Sequence, residues 1–248
     1  MSDLALVMPM AGRGARFRRA GRLVPKPLID LEGRPLFWWA AQSVCRAATV
    51  REIVFVVLEE HVEELGIDVE IRRHFPRATV RVISEVTAGA AETAAIGAAA
   101  LASAGPVAVN DCDHAFIGTS LAPLTDRLGG QVSGALVAFR SSNPAYSYVR
   151  LNEAGQVAGT VEKQVVSPFA IAGCYLFADP KQLLDRMPQY RQACRYGELF
   201  VSGLYDLMIA DGCEIPFVEL AHHVSFGTPE ELDALADADR RLLARLAE

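Results

Sequence analysis

Cysteine is scarce and poorly spaced for a framework: the five residues, Cys45, Cys112, Cys174, Cys194 and Cys213, are scattered, odd in number and never form a Cys-x-x-Cys pair. This argues against a disulfide scaffold or a structural zinc site and points to free thiols in a reducing cytoplasm. Long hydrophobic runs are missing too. Stretches such as 93–102 are interrupted by Gly or Thr and dominated by Ala, and none is long enough to span a bilayer. The N-terminus, MSDLALVMPM, has no basic segment leading into an apolar stretch and cleavage site, so no secretory signal is expected. Positive charge is not in excess either. With 24 Lys and Arg against 30 Asp and Glu the net charge is −6, which argues against broad nucleic-acid binding but leaves room for a small basic pocket. A cytoplasmic protein with neither membrane nor nucleic-acid partners is the expectation.

What is present describes one large α/β domain. The 248 residues are 51% hydrophobic and 22% charged, enough to bury a sizeable core, with no internal repeat or long linker. Short, nearly continuous apolar runs at 4–8, 52–58, 79–84, 106–110 and 133–139 predict strands covered on both faces. Between them, 35–48, 59–75 and 90–104 have helical length and composition, and this β-α-β-α rhythm predicts a mostly parallel sheet flanked by helices. From about residue 146 the rhythm changes: 146–151, 156–162 and 169–178 are strand-like with little helix between them, predicting an antiparallel addition. Helices are expected at about 180–187 and 198–211. A last helix starts at Thr228-Pro229-Glu230-Glu231, with Thr at the N-cap, Pro at N1 and Glu at N3, and carries a core-facing stripe of Leu232, Leu235, Leu242, Leu243 and Leu246.

Five places carry chemistry. After the first strand comes Gly12-Arg13-Gly14-Ala15-Arg16-Phe17, followed by Pro25-Lys26-Pro27-Leu28. Glycines let backbone N–H groups approach a triphosphate, and Arg13, Arg16 and Lys26 supply the charge to neutralise it. Phe17 stands where a dinucleotide loop would need a third glycine, and no Gly-Lys-Ser/Thr follows, so neither the Rossmann fingerprint nor the P-loop is present. The small residues of Thr87-Ala88-Gly89-Ala90-Ala91-Glu92-Thr93 would let a flat ring lie against the backbone; the competing reading is a helix start capped by Thr87. Asn110-Asp111-Cys112-Asp113-His114 follows a buried strand, where open sheets bind ligands, and its carboxylates suit Mg²⁺. His114 beside Asp113 does not make a zinc pair, because adjacent residues of an extended chain point apart. Glu162-Lys163 taken alone reads as a surface ion pair or a charged strand end. Last comes Val224-Ser225-Phe226-Gly227-Thr228-Pro229.

In these segments and in this order the chain resembles the sugar-phosphate nucleotidyltransferases, or nucleoside-diphosphate-sugar pyrophosphorylases, over roughly residues 4–236. That family carries a Gly-x-Gly-x-Arg loop followed by a Pro-Lys pair. The resemblance implies a Rossmann-like, glycosyltransferase-A-like fold with a nucleotide-binding half of about 1–130 and an acceptor-binding half of about 131–248. It implies that Arg16 steadies the triphosphate, that Lys26 is a phosphate ligand, and that Met10, Ala11, Gly12, Arg13, Gly14, Thr87, Gly89 and Ala90 border the nucleotide. Asp113 becomes the first candidate for holding Mg²⁺ and Asp111 the second. Glu162, Lys163, Gly173 and Glu198 fall on the acceptor side, although charge at a helix N-terminus is an equally good reason for Glu198. Tyr175 follows Gly173 in a family-like Ala-Gly-x-Tyr-x-Phe strand.

Two departures stand out. Ala15 replaces a Ser or Thr found in many members, and Ser225 replaces the Asp that commonly completes the metal site. The expected reaction joins an NTP to a sugar 1-phosphate or similar small phosphorylated acceptor and releases pyrophosphate. A non-catalytic nucleotide or nucleotide-sugar binder is the chief alternative, with Ser225 as its support. A nucleotide-sugar-dependent glycosyltransferase would not need the loop of Arg16 and Lys26. The chain ends soon after the nucleotidyltransferase region, so an appended β-helix is not expected, and the protein should be a monomer or homodimer.

Overall fold

The computed structural model describes residues 3–248. Its first half runs β1 (Leu4–Met10), α1 (Ala15–Arg19), a 3₁₀ turn (Lys26–Leu28), the small hairpin β2 (Asp30–Leu31) and β3 (Arg34–Pro35), α2 (Leu36–Ala47), β4 (Val50–Leu58), α3 (Glu59–Leu65), α4 (Ile67–His74), β5 (Thr79–Ile83), α5 (Ala90–Ala98), β6 (Val107–Asn110) and β7 (His114–Ile117). The second half runs α6 (Ala122–Thr125), β8 (Gly134–Arg140), β9 (Ser147–Leu151), β10 (Val157–Glu162), β11 (Phe169–Phe177), α7 (Lys181–Leu184), α8 (Met187–Ala193), α9 (Gly203–Ala210), β12 (Phe217–Glu219), β13 (His222–Ser225), α10 (Pro229–Asp233) and α11 (Asp237–Ala247).

The main sheet has the order β10-β9-β11-β6-β1-β4-β5, with β8 also on β11 and β12 on β8. β6, β1, β4 and β5 are parallel, whereas β9, β10 and β11 join antiparallel. This is the α/β architecture expected from the sequence, a parallel core with an antiparallel addition, except that the run at 79–84, expected to be covered on both faces, forms the edge strand β5 with no buried residue, because nothing pairs on its outer side. Its physical origin is visible in β1. Leu4, Leu6, Met8 and Met10 enter one core with Phe37, Trp39 and Phe55, while Ala5 and Val7 enter the other with Ala91, Ala94 and Tyr205. A strand whose alternate residues are buried on opposite faces must be apolar throughout, so its run shows no polar alternation.

Several expected elements are shorter or divided. The helix expected over 59–75 breaks at Gly66, where φ is +62°, into α3 and α4. The helix expected to 104 ends at Ala98. The one expected over 180–187 becomes α7 and α8, and the one expected from 198 begins only at Gly203. The two-stranded β7–β13 ribbon, with Ser225 opposite His114, was not anticipated: its strands are four residues each and contain histidines, so no apolar alternation marks them. The last helix divides into α10 and α11, with Leu232, Leu243 and Leu246 buried as core.

The start of α10 is the expected capping box. The Thr228 side chain accepts from the Glu231 N–H at 3.2 Å, and the Glu231 carboxylate accepts from the Thr228 N–H at 3.1 Å. Thr228→Ala should lower stability by about 1 kcal/mol. Urea unfolding should report this as a lower midpoint at unchanged slope; an unmoved midpoint would mean that the box contributes nothing.

Candidate functional site

One cleft of about 570 Å³ opens at the carboxyl ends of β1 and β6. Four of the five segments singled out in the sequence meet there through Gly12, Arg16 and Lys26; Thr87, Gly89 and Ala90; Asp111 and Asp113; and Glu162 and Lys163. The fifth contributes Ser225, Gly227 and Thr228, and Ala11, Gly173 and Glu198 also line the cleft. Gly14 sits just behind the loop, with left-handed backbone and packed close to Lys26.

Other expected residues lie elsewhere. The Met10 side chain is buried in the core. Arg13 is turned outward, its guanidinium donating twice to the Glu60 carboxylate at 3.1 and 3.2 Å. Glu198 precedes α9 by several residues, so helix N-terminal charge does not account for it. The cap of α5 is Gly89; Thr87 instead donates to the Gly89 carbonyl at 2.9 Å and lies 2.6 Å from the Thr93 hydroxyl. Arg16 has no ion-pair partner among the described residues and faces the cleft. Arg13→Ala should therefore leave turnover within about threefold of wild type, as expected for an exposed surface pair; a much larger loss in steady-state kinetics would bring Arg13 into the cleft during the reaction.

The centre of the cleft is an ion pair: Lys26 Nζ lies 2.8 Å from Asp113 Oδ2, with both side chains only partly covered. Two unrelated pieces of local structure produce it. Lys26 opens a 3₁₀ turn between Pro25 and Pro27, and Asp113 lies between β6 and β7, where the Phe226 N–H donates to its carbonyl at 3.0 Å. Burial alone would lower the Lys26 ammonium, but Asp113 and the other acidic groups around it raise it above its ordinary value. Burial pushes the Asp113 carboxyl up, yet the charge of Lys26, the neighbouring His114 and the hydrogen bond from Lys26 together hold the group below its ordinary value. Asp111 is pushed up to about 8 by burial and then by the charge of Asp113. A cation arriving in the cleft would favour the charged form of both carboxyl groups.

Among the described residues, no three His, Cys, Asp or Glu side chains are grouped to hold a metal. At the carboxyl end of β6 the cleft presents two carboxyl groups, those of Asp111 and Asp113. That set fits Mg²⁺, which binds through one or two carboxylates and keeps sites for waters and phosphate oxygens. His114 beside it is buried and stacked on the His223 ring at 5.4 Å between centroids, and burial pushes the group down to about 4.

The far wall contains residues that no motif announced. The Glu162 carboxylate accepts from the Ser147 hydroxyl at 2.6 Å and from the Ser202 hydroxyl. Lys163 has left-handed backbone, φ +56°, and its N–H donates to the Tyr146 carbonyl at 3.0 Å. The Tyr146 hydroxyl donates to Glu231 Oε1 at 2.5 Å, while Glu231 Oε2 accepts from Gly227 N–H at 3.0 Å. Glu231 was legible only as a cap; its second role depends on a residue 85 positions away. Phe139 and His223 stack at 3.7 Å between ring centroids and complete the wall.

Comparison with known proteins identifies the family and the fold. Residues 7–205 match the MobA-like NTP transferase domain, and the chain belongs to that family of nucleotidyltransferases. Curated proteins return no match. Among solved structures, the chain is similar to the nucleoside-diphosphate-sugar pyrophosphorylase from Vibrio cholerae RC9, at a TM-score of 0.77 and 22% identity over 92% of this chain and 98% of that one. It is also similar to the inositol-1-phosphate CTP transferase from T. maritima, at a TM-score of 0.78 and 17% identity over 98% and 96%. At those identities the likeness is one of fold. The expected nucleotidyltransferase fold is borne out.

Proposed function

We propose that the protein transfers a nucleoside monophosphate from an NTP to a sugar 1-phosphate or similarly small phosphorylated acceptor, releasing pyrophosphate. The observation that carries this reading is the Lys26–Asp113 pair at the centre of a cleft bordered by the glycine loop on one side and by Glu162 and Lys163 on the other. The acceptor's phosphate oxygen attacks the α-phosphorus in line, and the bond to the pyrophosphate oxygen breaks. The nucleophile is already anionic, so no general base is needed. The work is to bring two anions together, and Arg16, Lys26 and Lys163 do so by position and charge. Asp113, with Asp111 beside it, would hold Mg²⁺, whose chemistry is to neutralise triphosphate charge.

The names of the fold relatives, a nucleotide-sugar pyrophosphorylase and an inositol-1-phosphate CTP transferase, support an acceptor that carries a phosphate on a small polyol. The test is pyrophosphate release from each NTP with glucose 1-phosphate, inositol 1-phosphate or phosphocholine, with and without Mg²⁺. Release that needs NTP, acceptor and metal together supports the reading. A second reading, a nucleotide binder without turnover, is favoured by Ser225 at the position where family members commonly have Asp. NTP binding with no release across the whole panel would select it.

A further inference from the structure

The segment 194–202, between α8 and α9, has no regular structure, yet it touches both ends of the cleft. On the nucleobase side, the Leu199 N–H donates to the Ala88 carbonyl at 3.0 Å and its carbonyl accepts from the Ala91 N–H at 2.9 Å. Between these bonds sits Gly89. A Cβ there would lie 2.5 Å from Leu199 N and 2.6 Å from Leu199 O, so only glycine permits the contact.

On the acceptor side, the same segment meets the Glu162-Lys163 pair three times. The Tyr196 hydroxyl accepts from the Glu162 N–H at 3.3 Å. The Lys163 ammonium lies over the Phe200 ring, 5.1 Å from its centroid. The Ser202 hydroxyl donates to the Glu162 carboxylate. The segment is itself held, since the Phe200 carbonyl accepts from the Tyr190 hydroxyl at 2.8 Å and the Tyr196 and Phe200 rings pack edge to face at 5.8 Å.

From these contacts we infer that residues 194–202 form a positioning strap that makes acceptor affinity depend on an occupied nucleobase site, with Phe200 and Tyr196 as its positioning residues. The inference rests on the reading above, in which Glu162 and Lys163 meet the acceptor. A base seated against residues 87–90 steadies the two bonds to Leu199. Phe200 and Tyr196, one and three residues away, then hold Lys163 and Glu162 in the orientation that receives the acceptor phosphate and its hydroxyls. Linkage makes the effect reciprocal: the acceptor must tighten NTP binding by the same factor.

The test uses the full chain with a non-hydrolysable analogue of the NTP that turns over and the acceptor of the panel that turns over with it. Calorimetry gives acceptor affinity with and without the analogue, and kinetics gives KM for each substrate. The wild type should show coupling of about 5- to 150-fold. Phe200→Leu, which keeps an apolar side chain but removes the ring face, should raise acceptor KM by roughly 2- to 30-fold. It should leave the affinity for NTP alone within about twofold and move the coupling factor towards one. A residue that merely packs would not change that factor. Tyr196→Phe removes one oxygen from a half-exposed ring, should act in the same direction, and carries the test if Phe200→Leu loses its fold. Turnover with wild-type coupling in the variants overturns the strap alone. NTP binding with no acceptor bound or turned over by the wild type overturns the strap and the functional reading together.

Discussion

Asp113→Asn should lower kcat by about 10²–10³-fold, the usual cost of removing one stabiliser of transition-state charge. The substitution keeps the shape of the side chain and removes its charge, leaving Lys26 Nζ, now 2.8 Å from Asp113 Oδ2, without its anion. Lys26 is raised largely through that carboxylate, so the variant also gives burial a freer hand to lower the ammonium. Arg16→Ala should give a loss of the same order by a different route, since Arg16 faces the cleft and, among the described residues, pairs with no carboxylate. Pyrophosphate release under saturating substrates measures both. A rate within about tenfold of wild type in Asp113→Asn would remove this residue from the centre of the reaction. Such a result would also make a Mg²⁺ site on Asp113 untenable.

Gly173→Ala should destabilise the fold by roughly 2–4 kcal/mol, combining the left-handed backbone penalty with overpacking. Gly173 lies within β11 at φ +68°, where the register with β8 shifts between Ile171 and Tyr175. A Cβ at this bulge would come within 2.9 Å of the His114 ring and 3.1 Å of Asp111 Oδ2. The Gly173 carbonyl also accepts from the Asp111 N–H at 2.9 Å, so a displaced bulge displaces the strand end that carries both carboxylates. Thermal unfolding should show a midpoint lower by about 5–12 °C for a domain of this length. An unchanged midpoint with an acceptor KM raised severalfold would instead assign Gly173 to ligand contact alone, as the family resemblance has it.

The parts of this protein that the chain alone determined are those governed by neighbours in sequence. Unbroken apolar runs became the buried strands β1, β4, β6 and β8, although the run at 79–84 became the exposed edge strand β5. The Thr228-Pro229-Glu230-Glu231 run wrote its own capping box. Gly12, Arg16 and Lys26, singled out by residue type and spacing, do line one cleft. Tertiary structure decided the rest, because the relevant distances depend on sheet register and crossover, which no local pattern encodes. Arg13 and Arg16 look equivalent in sequence, yet one is held by Glu60 on the surface and the other enters the cleft. Glu162-Lys163 reads alone as a charged strand end. It becomes part of the site only because β10 and β9 pair so that Ser147 and Tyr146 reach it, and because the strap from Cys194 to Ser202 folds back onto it. Glu231 serves α10 and Tyr146 at once, the first contact local and the second made by chain folding. Short-range chemistry sets which elements form; only the packing of those elements sets which charges meet.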